Sequence, residues 1–268
     1  MHYWLKTLAF AAITCTALTP VTAQYTDSTG VAIPATDTIR RAVNWSVPVQ
    51  SNAFPLKSFI IPAAMISYGF TSLGSHGLKD INKNIRNELA MEHPHNAIHI
   101  DNYLQYAPAI AVYGLNAAGI KGKHNFKDRT ILYTMSMLIS NSTVFSIKSL
   151  SKQTRPDGSD AMSFPSGHTA NAFVAAEFMR QEYKDVSPWY GVAGYAVAAT
   201  TGYLRMYNNK HWFSDVVTGA GIGIASTRLT YWLYPMIQRG LFKKKNPNTV
   251  FMPTYQDGAV GIGFVHKF

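Results

Sequence analysis

Six apolar stretches, separated by short polar breaks, set what this chain can fold into: 58–73, 103–120, 130–147, 169–179, 189–204 and 216–234. None shows the strong period-two alternation of a half-buried strand. The expected fold class is therefore all-α: a helical bundle of about six core helices, with a short C-terminal β-hairpin added to it. Several stretches lack Asp, Glu, Lys and Arg over roughly the 20 residues that a bilayer-spanning helix needs. Yet they are rich in Gly, Ala, Ser, Thr, Asn and Tyr. Small residues pack transmembrane helices closely, and they fill a tight soluble bundle equally well. Both architectures stay open, and the balance favours a membrane-associated bundle whose site faces the periplasm.

The ends of the chain differ in composition from this body. Residues 1–23 read as a signal peptide: Lys6 gives a positive start, Leu8 to Leu18 an apolar core, and Val21-Thr22-Ala23 a small-residue cleavage site. The single cysteine, Cys15, falls inside it, which leaves a mature chain without thiol or disulfide chemistry and suits an exported protein of the cell envelope. Residues 24–52 are polar and aperiodic, a linker or arm. The helical domain is expected over 53–240, and a basic segment and hairpin over 241–268. In the hairpin, Val250 to Tyr255 and Ala259 to Val265 flank the turn signal Gln256-Asp257-Gly258.

A net charge of +10 on a chain with only 14% charged residues suits an anionic partner, either a phosphorylated substrate or an anionic membrane surface. No long basic stripe or nucleic-acid motif is present, so nucleic acid is not an expected partner. Leu78, Ile81, Ile85 and Leu89 recur at helical spacing with Lys79, Lys83 and Arg86 between them, an amphipathic basic helix on the core or at a lipid surface. The histidines that follow, His93, His95 and His99, fit no standard zinc spacing, and no metal is expected. Asp101 reads as the cap of a helix beginning near Asn102.

The chemistry concentrates between Lys148 and Asp215. Lys148 and Arg155 stand seven apart, two turns along one helix face, and Pro156 ends that helix and frees Arg155 to reach into a site. The pair offers a phosphate a point charge and a planar two-donor fork. Pro165-Ser166-Gly167-His168 is a turn opening a helix. Its free N–H groups and dipole favour an anion, Gly167 permits close approach, and Ser166 adds a hydroxyl. His211 and Asp215 are i and i+4, so Asp215 can fix the imidazole tautomer and leave a nucleophilic nitrogen. Arg205 lies just upstream, placed to join an oxyanion clamp. The intervening loop DGSDAMSF would shape entry to the site.

These three blocks resemble the signature of the type 2 phosphatidic acid phosphatase superfamily: Lys-x6-Arg-Pro, Pro-Ser-Gly-His, and Ser-Arg-x5-His-x3-Asp. The sole departure is Leu204 where the pattern has Ser, its weakest position. The superfamily includes lipid phosphate phosphatases, bacterial non-specific acid phosphatases and vanadium haloperoxidases. The resemblance implies a cofactor-free phosphatase in which His211 attacks phosphorus, Asp215 orients it, and His168 protonates the leaving oxygen. Lys148, Arg155, Ser166, Gly167 and Arg205 would hold the phosphoryl oxygens. A lipid phosphate such as lipid A leads as substrate, ahead of phosphatidate-type and polyprenyl phosphates. The alternatives are a soluble periplasmic acid phosphatase, a vanadate-dependent haloperoxidase and a non-catalytic membrane scaffold.

Overall fold

The computed structural model describes residues 54–92, 95–241, 249–256 and 259–266. The expected signal peptide, the arm, His93 and the lysines at 243–245 lie outside the described residues. In order, the described helices are α1 (Leu56–Gly74), α2 (His76–Arg86), α3 (Asp101–Leu104), α4 (Ala107–Ala117), α5 (Phe126–Ser151), α6 (Gly167–Tyr183), α7 (Pro188–Tyr207) and α8 (Phe213–Leu241). A π-helical turn, Asn87–Met91, continues α2.

Each of the six apolar stretches falls on helix, so the chain is all-α over its body. One stretch is broken. Residues 103–120 divide into α3 and α4 because Pro108, in the first turn of α4, has no N–H for the Leu104 carbonyl and its ring would collide with it. Side-chain caps mark three other starts: Asn125 accepts from the Asp128 N–H at 2.9 Å, Ser166 caps α6 and Ser187 caps α7. At the C-terminus, Thr249–Gln256 pairs antiparallel with Ala259–His266, with Thr249 opposite His266 and Gln256 opposite Ala259.

Helix α6 is the central element, packed against α4, α5, α7 and α8. Its small residues, Ala170, Ala172, Ala175 and Ala176, are fully buried, which lets neighbouring backbones come close. The closest approach is to α8. A Cβ at Gly219 would lie 2.4 Å from the Ser166 carbonyl oxygen, and one at Gly223 would lie 2.4 Å from that of Ala170. Only glycine fits either position.

Two of the buried carboxylates lie on α6. Glu177 accepts from Arg180 on its own helix, from Arg228 of α8 at 2.9 Å and from the Tyr195 hydroxyl of α7. Arg228 in turn reaches the Ser58 carbonyl of α1. One turn further, Glu182 meets His124 (2.7 Å), Tyr231 (2.6 Å) and Arg129 (3.3 Å). Buried charges are tolerated when paired and hydrogen-bonded in this way, and both networks tie distant helices to α6.

Outside, α1 and α5 are long and apolar enough to cross a membrane, and only 17% and 22% of their most apolar segments are buried. Ile60, Ile61, Leu138 and Phe145 point outward.

Candidate active site

The first piece of the site is the start of α6. Ser166 is its N-cap. The Ser166 hydroxyl lies 3.4 Å from the Thr169 N–H and 2.9 Å from the Thr169 hydroxyl, and is fully buried. This departs from the expectation that Ser166 presents its hydroxyl to an anion: capping, the strongest local use of a serine at a helix start, has claimed it. The backbone N–H groups of Gly167 and His168 occupy the first turn, where helix geometry supplies no intrahelical acceptor.

The second piece is the connection from α7 to α8. Asn209 adopts a left-handed conformation (φ 56°), and the N–H groups of Lys210 and His211 fold back onto the Arg205 carbonyl at 3.0 and 3.3 Å. This closes α7 and places His211 ahead of α8, not on a shared helix face with Asp215 as its spacing suggested. Asp215, in the first turn of α8, reaches back to the Trp212 N–H at 3.0 Å, half of a capping box. The same Oδ2 accepts from the Ser163 hydroxyl and lies 3.4 Å from His211 Nδ1. The other ring nitrogen of His211, Nε2, is the one Asp215 does not engage.

The third piece is the end of α5 and the loop beyond it. The helix stops at Ser151, and Lys152 turns left-handed (φ 46°). Arg155 therefore lies in the loop, four residues past the helix, and the two-turn spacing from Lys148 does not hold. Nor does its guanidinium swing free: Asp160 accepts from Nε at 2.7 Å, and the Lys210 carbonyl lies 3.4 Å from Nη1. Lys148 donates to the carbonyls of Met162 and Ser163, so it fastens this loop over the start of α6.

The fourth piece was hidden in the sequence. Asp101 does not use its side chain to cap a helix: it is fully buried, and its Oδ2 accepts from Arg205 Nη1 at 2.8 Å. Arg205 Nε is a buried donor without a protein acceptor among the described residues. Next to Asp101, Asn102 Oδ1 lies 2.9 Å from His168 Nε2. Asp101 and Asn102 are thus candidate-site residues that sequence reasoning missed, while Asp160 and Ser163 belong to the loop expected to shape entry and have partners there that the sequence did not indicate. The only signal was the polar character of 99–102 and of the loop 157–163.

A basic helix flanks this assembly. Asn82 of α2 exchanges two hydrogen bonds with Ser214, at 2.9 and 3.1 Å. Arg86 lies 5.8 Å from the centre of the Trp212 ring and donates to Asn209. Lys79, Asn82, Lys83, Gln153 and Trp212 line a cavity of about 110 Å³ beside the connection from α7 to α8.

Electrostatically the pieces converge. Burial pushes His211 down to about 4, with Lys148 and Arg205 adding to the shift and Asp215 opposing it. Burial also pushes His168 down to about 4, helped by Arg205, Arg155 and Lys148 against Asp101. Lys148 and Arg205 therefore act on both histidines and Arg155 on His168, which favours the neutral ring in each at pH 7. The sign of the linkage follows. Between the ordinary value of 6.5 and about 4 the unfolded chain takes up protons that the folded site refuses. Stability should be full above pH 6.5 and fall as pH drops through that window. Denaturant midpoints measured at pH 7 and pH 5 would show this, and His211→Asn should shrink the difference; an unchanged difference would contradict the burial of a neutral ring.

Residues 129–239 match the family described as the PAP2 superfamily. A curated relative, lipid A 1-phosphatase of Porphyromonas gingivalis, is 41% identical over 141 residues, 52% of this chain and 32% of that protein. The match thus spans about a third of the relative's length. Among solved structures, a transmembrane PAP2 type phosphatidylglycerolphosphate phosphatase from Bacillus subtilis is 18% identical, with a TM-score of 0.48 over 67% of this chain and 98% of that one. Aquifex aeolicus LpxE is 22% identical, with a TM-score of 0.41 over 57% and 93%. All three sequence blocks, from Lys148 to Asp215, lie inside the segment that matches the PAP2 superfamily.

Proposed function

We propose that this protein is a phosphatase of the cell envelope that removes phosphate from a lipid through a phosphohistidine at His211. The observation that carries the reading is the convergence of Lys148 and Arg205 on two histidines that burial keeps neutral, with Arg155 also acting on His168 and Asp215 backing His211. A neutral imidazole is the nucleophilic form. A phosphate dianion among the three cations would be held and its charge offset as it transfers, which is most of what phosphoryl transfer asks of a protein. The same dianion would offset the charges that depress His168 and so favour its protonated form, the form needed to donate to a leaving oxygen. Arg205 Nε and the N–H groups of Gly167 and His168 are the donors best placed for its oxygens; Arg155 would share its fork between Asp160 and the phosphate.

The lipid part of the reading draws on the name of the Porphyromonas gingivalis relative, on the exposed apolar faces of α1 and α5, and on the lysines of α2 beside the site. Export through the signal peptide would place the site on the periplasmic side.

The test is phosphate release by the full-length protein in detergent, with chelator present, from lipid A and from p-nitrophenyl phosphate. Strong release from the lipid and weak release from the soluble ester supports the proposal. Better release from the soluble ester points to a broad acid phosphatase, and release that chelator abolishes removes the metal-independent mechanism.

A further inference from the structure

Asn102 belongs to α3, the four-residue helix that also carries Asp101. Its Oδ1 lies 2.9 Å from His168 Nε2. An amide oxygen only accepts, so this bond requires the hydrogen on Nε2. In the neutral ring the lone pair then resides on Nδ1. We propose that Asn102 is a positioning residue: it holds His168 in the Nε2–H tautomer and thereby selects Nδ1 as the nitrogen that hands a proton to the leaving oxygen.

The segment bearing Asn102 is fixed from several sides. Gln105 Nε2 donates to the Asn102 carbonyl at 2.8 Å, while Gln105 Oε1 accepts from Asn171 of α6 at 3.0 Å, one turn beyond His168. Asp101 holds Arg205 of α7. Adjacent residues of one short helix thus orient a cation of the cradle and the acid that works beside it.

The inference rests on the phosphatase reading, and the step it assigns balances. The lone pair of His211 Nε2 forms a bond to phosphorus as the phosphorus–oxygen bond to the leaving group breaks. That electron pair stays on the leaving oxygen, which takes the proton from Nδ1 of doubly protonated His168 and departs as an alcohol. His168 is left neutral, its Nε2–H still on Asn102. Water then gives a proton to Nδ1 and attacks phosphorus, and the nitrogen–phosphorus bond breaks with its pair returning to His211.

A residue that acts through the general acid matters in proportion to how badly the leaving group needs a proton. The experiment compares kcat/KM for an alkyl phosphate, a poor leaving group, and p-nitrophenyl phosphate, a good one, in the unsubstituted protein, Asn102→Ala and Asn102→Asp. General acid catalysis contributes typically 10²–10⁴-fold, so Asn102→Ala should lose about 10- to 100-fold on the alkyl ester and less than about threefold on the aryl ester. Asn102→Asp restores an acceptor, stabilises the imidazolium, and should recover the alkyl ester while moving the alkaline limb of its pH profile upward. Equal losses on both esters, no loss on either, or an alkaline limb that Asn102→Asp leaves in place would overturn the assignment to Asn102 alone. Absence of His211-dependent release from either ester by the unsubstituted protein would overturn the phosphatase reading itself.

Discussion

Replacing His211 by alanine should abolish phosphate release, by on the order of 10⁴-fold or more, as loss of a nucleophile does elsewhere. The side chain is 2% exposed, pinned between the α7 turn and Asp215. Among the described residues, the nearest carboxylate does not substitute: Asp215 is turned to Trp212, Ser163 and His211 itself. The cations stay in place, so substrate should still bind while turnover ceases. The decisive companion measurement is covalent. Brief exposure to radiolabelled substrate followed by a denaturing quench should leave acid-labile phosphate on the unsubstituted protein and none on His211→Ala. Label on another residue, or turnover by the variant within about tenfold of normal, would sink the phosphohistidine mechanism.

The largest expected effect on stability lies away from the chemistry, at Glu177. This fully buried carboxylate joins α6 to Arg228 of α8 and Tyr195 of α7, and through Arg228 to α1. Burial pushes its carboxyl up, and the hydrogen bonds and charges of Arg180 and Arg228 more than reverse that, holding it below its ordinary range. Glu177→Ala strands Arg228 in the bundle without its counter-charge, and breaking a buried pair from one side costs about 3–5 kcal/mol. Removing both charges, as in Glu177→Leu with Arg228→Leu, should recover much of the loss, since the penalty is that of an unpaired ion. The check is a denaturation series on the two single variants and the double. A Glu177→Ala protein as stable as the original would show that the network contributes no net stability.

Which features could be read from the residues alone follows from how far apart partners lie in the chain. The helices were legible because each apolar stretch carries its own pattern, and the cradle was legible because its chemistry is compressed into three short blocks. Partnerships across long separations were not. Asn102 and His168 are 66 residues apart, and Asp101 and Arg205 are 104 apart; nothing local in 99–102 announces either. The stretch 169–179 read as small and apolar although it contains Glu177, because the cation that ties this carboxylate to another helix, Arg228, lies 51 residues away. Local signals also misled where a turn intervened: seven-residue spacing suggested one helix face for Lys148 and Arg155, but the left-handed Lys152 ends the helix first.

The glycine contacts between α6 and α8 have a mechanical consequence. His168 rides on α6, and Asp215, which faces His211, rides on α8, so the two histidines are referenced to helices whose backbones touch at Gly219 and Gly223. With no side chain between them to compress or rotate, that seam behaves as a rigid ruler. On the proposed mechanism, attack and protonation would both be gauged from this seam, to which Ser166 itself contributes its carbonyl. Substitutions at the exposed loop residues Gly158, Ser159 and Ala161 would then reshape the entrance without recalibrating the distance between the two rings.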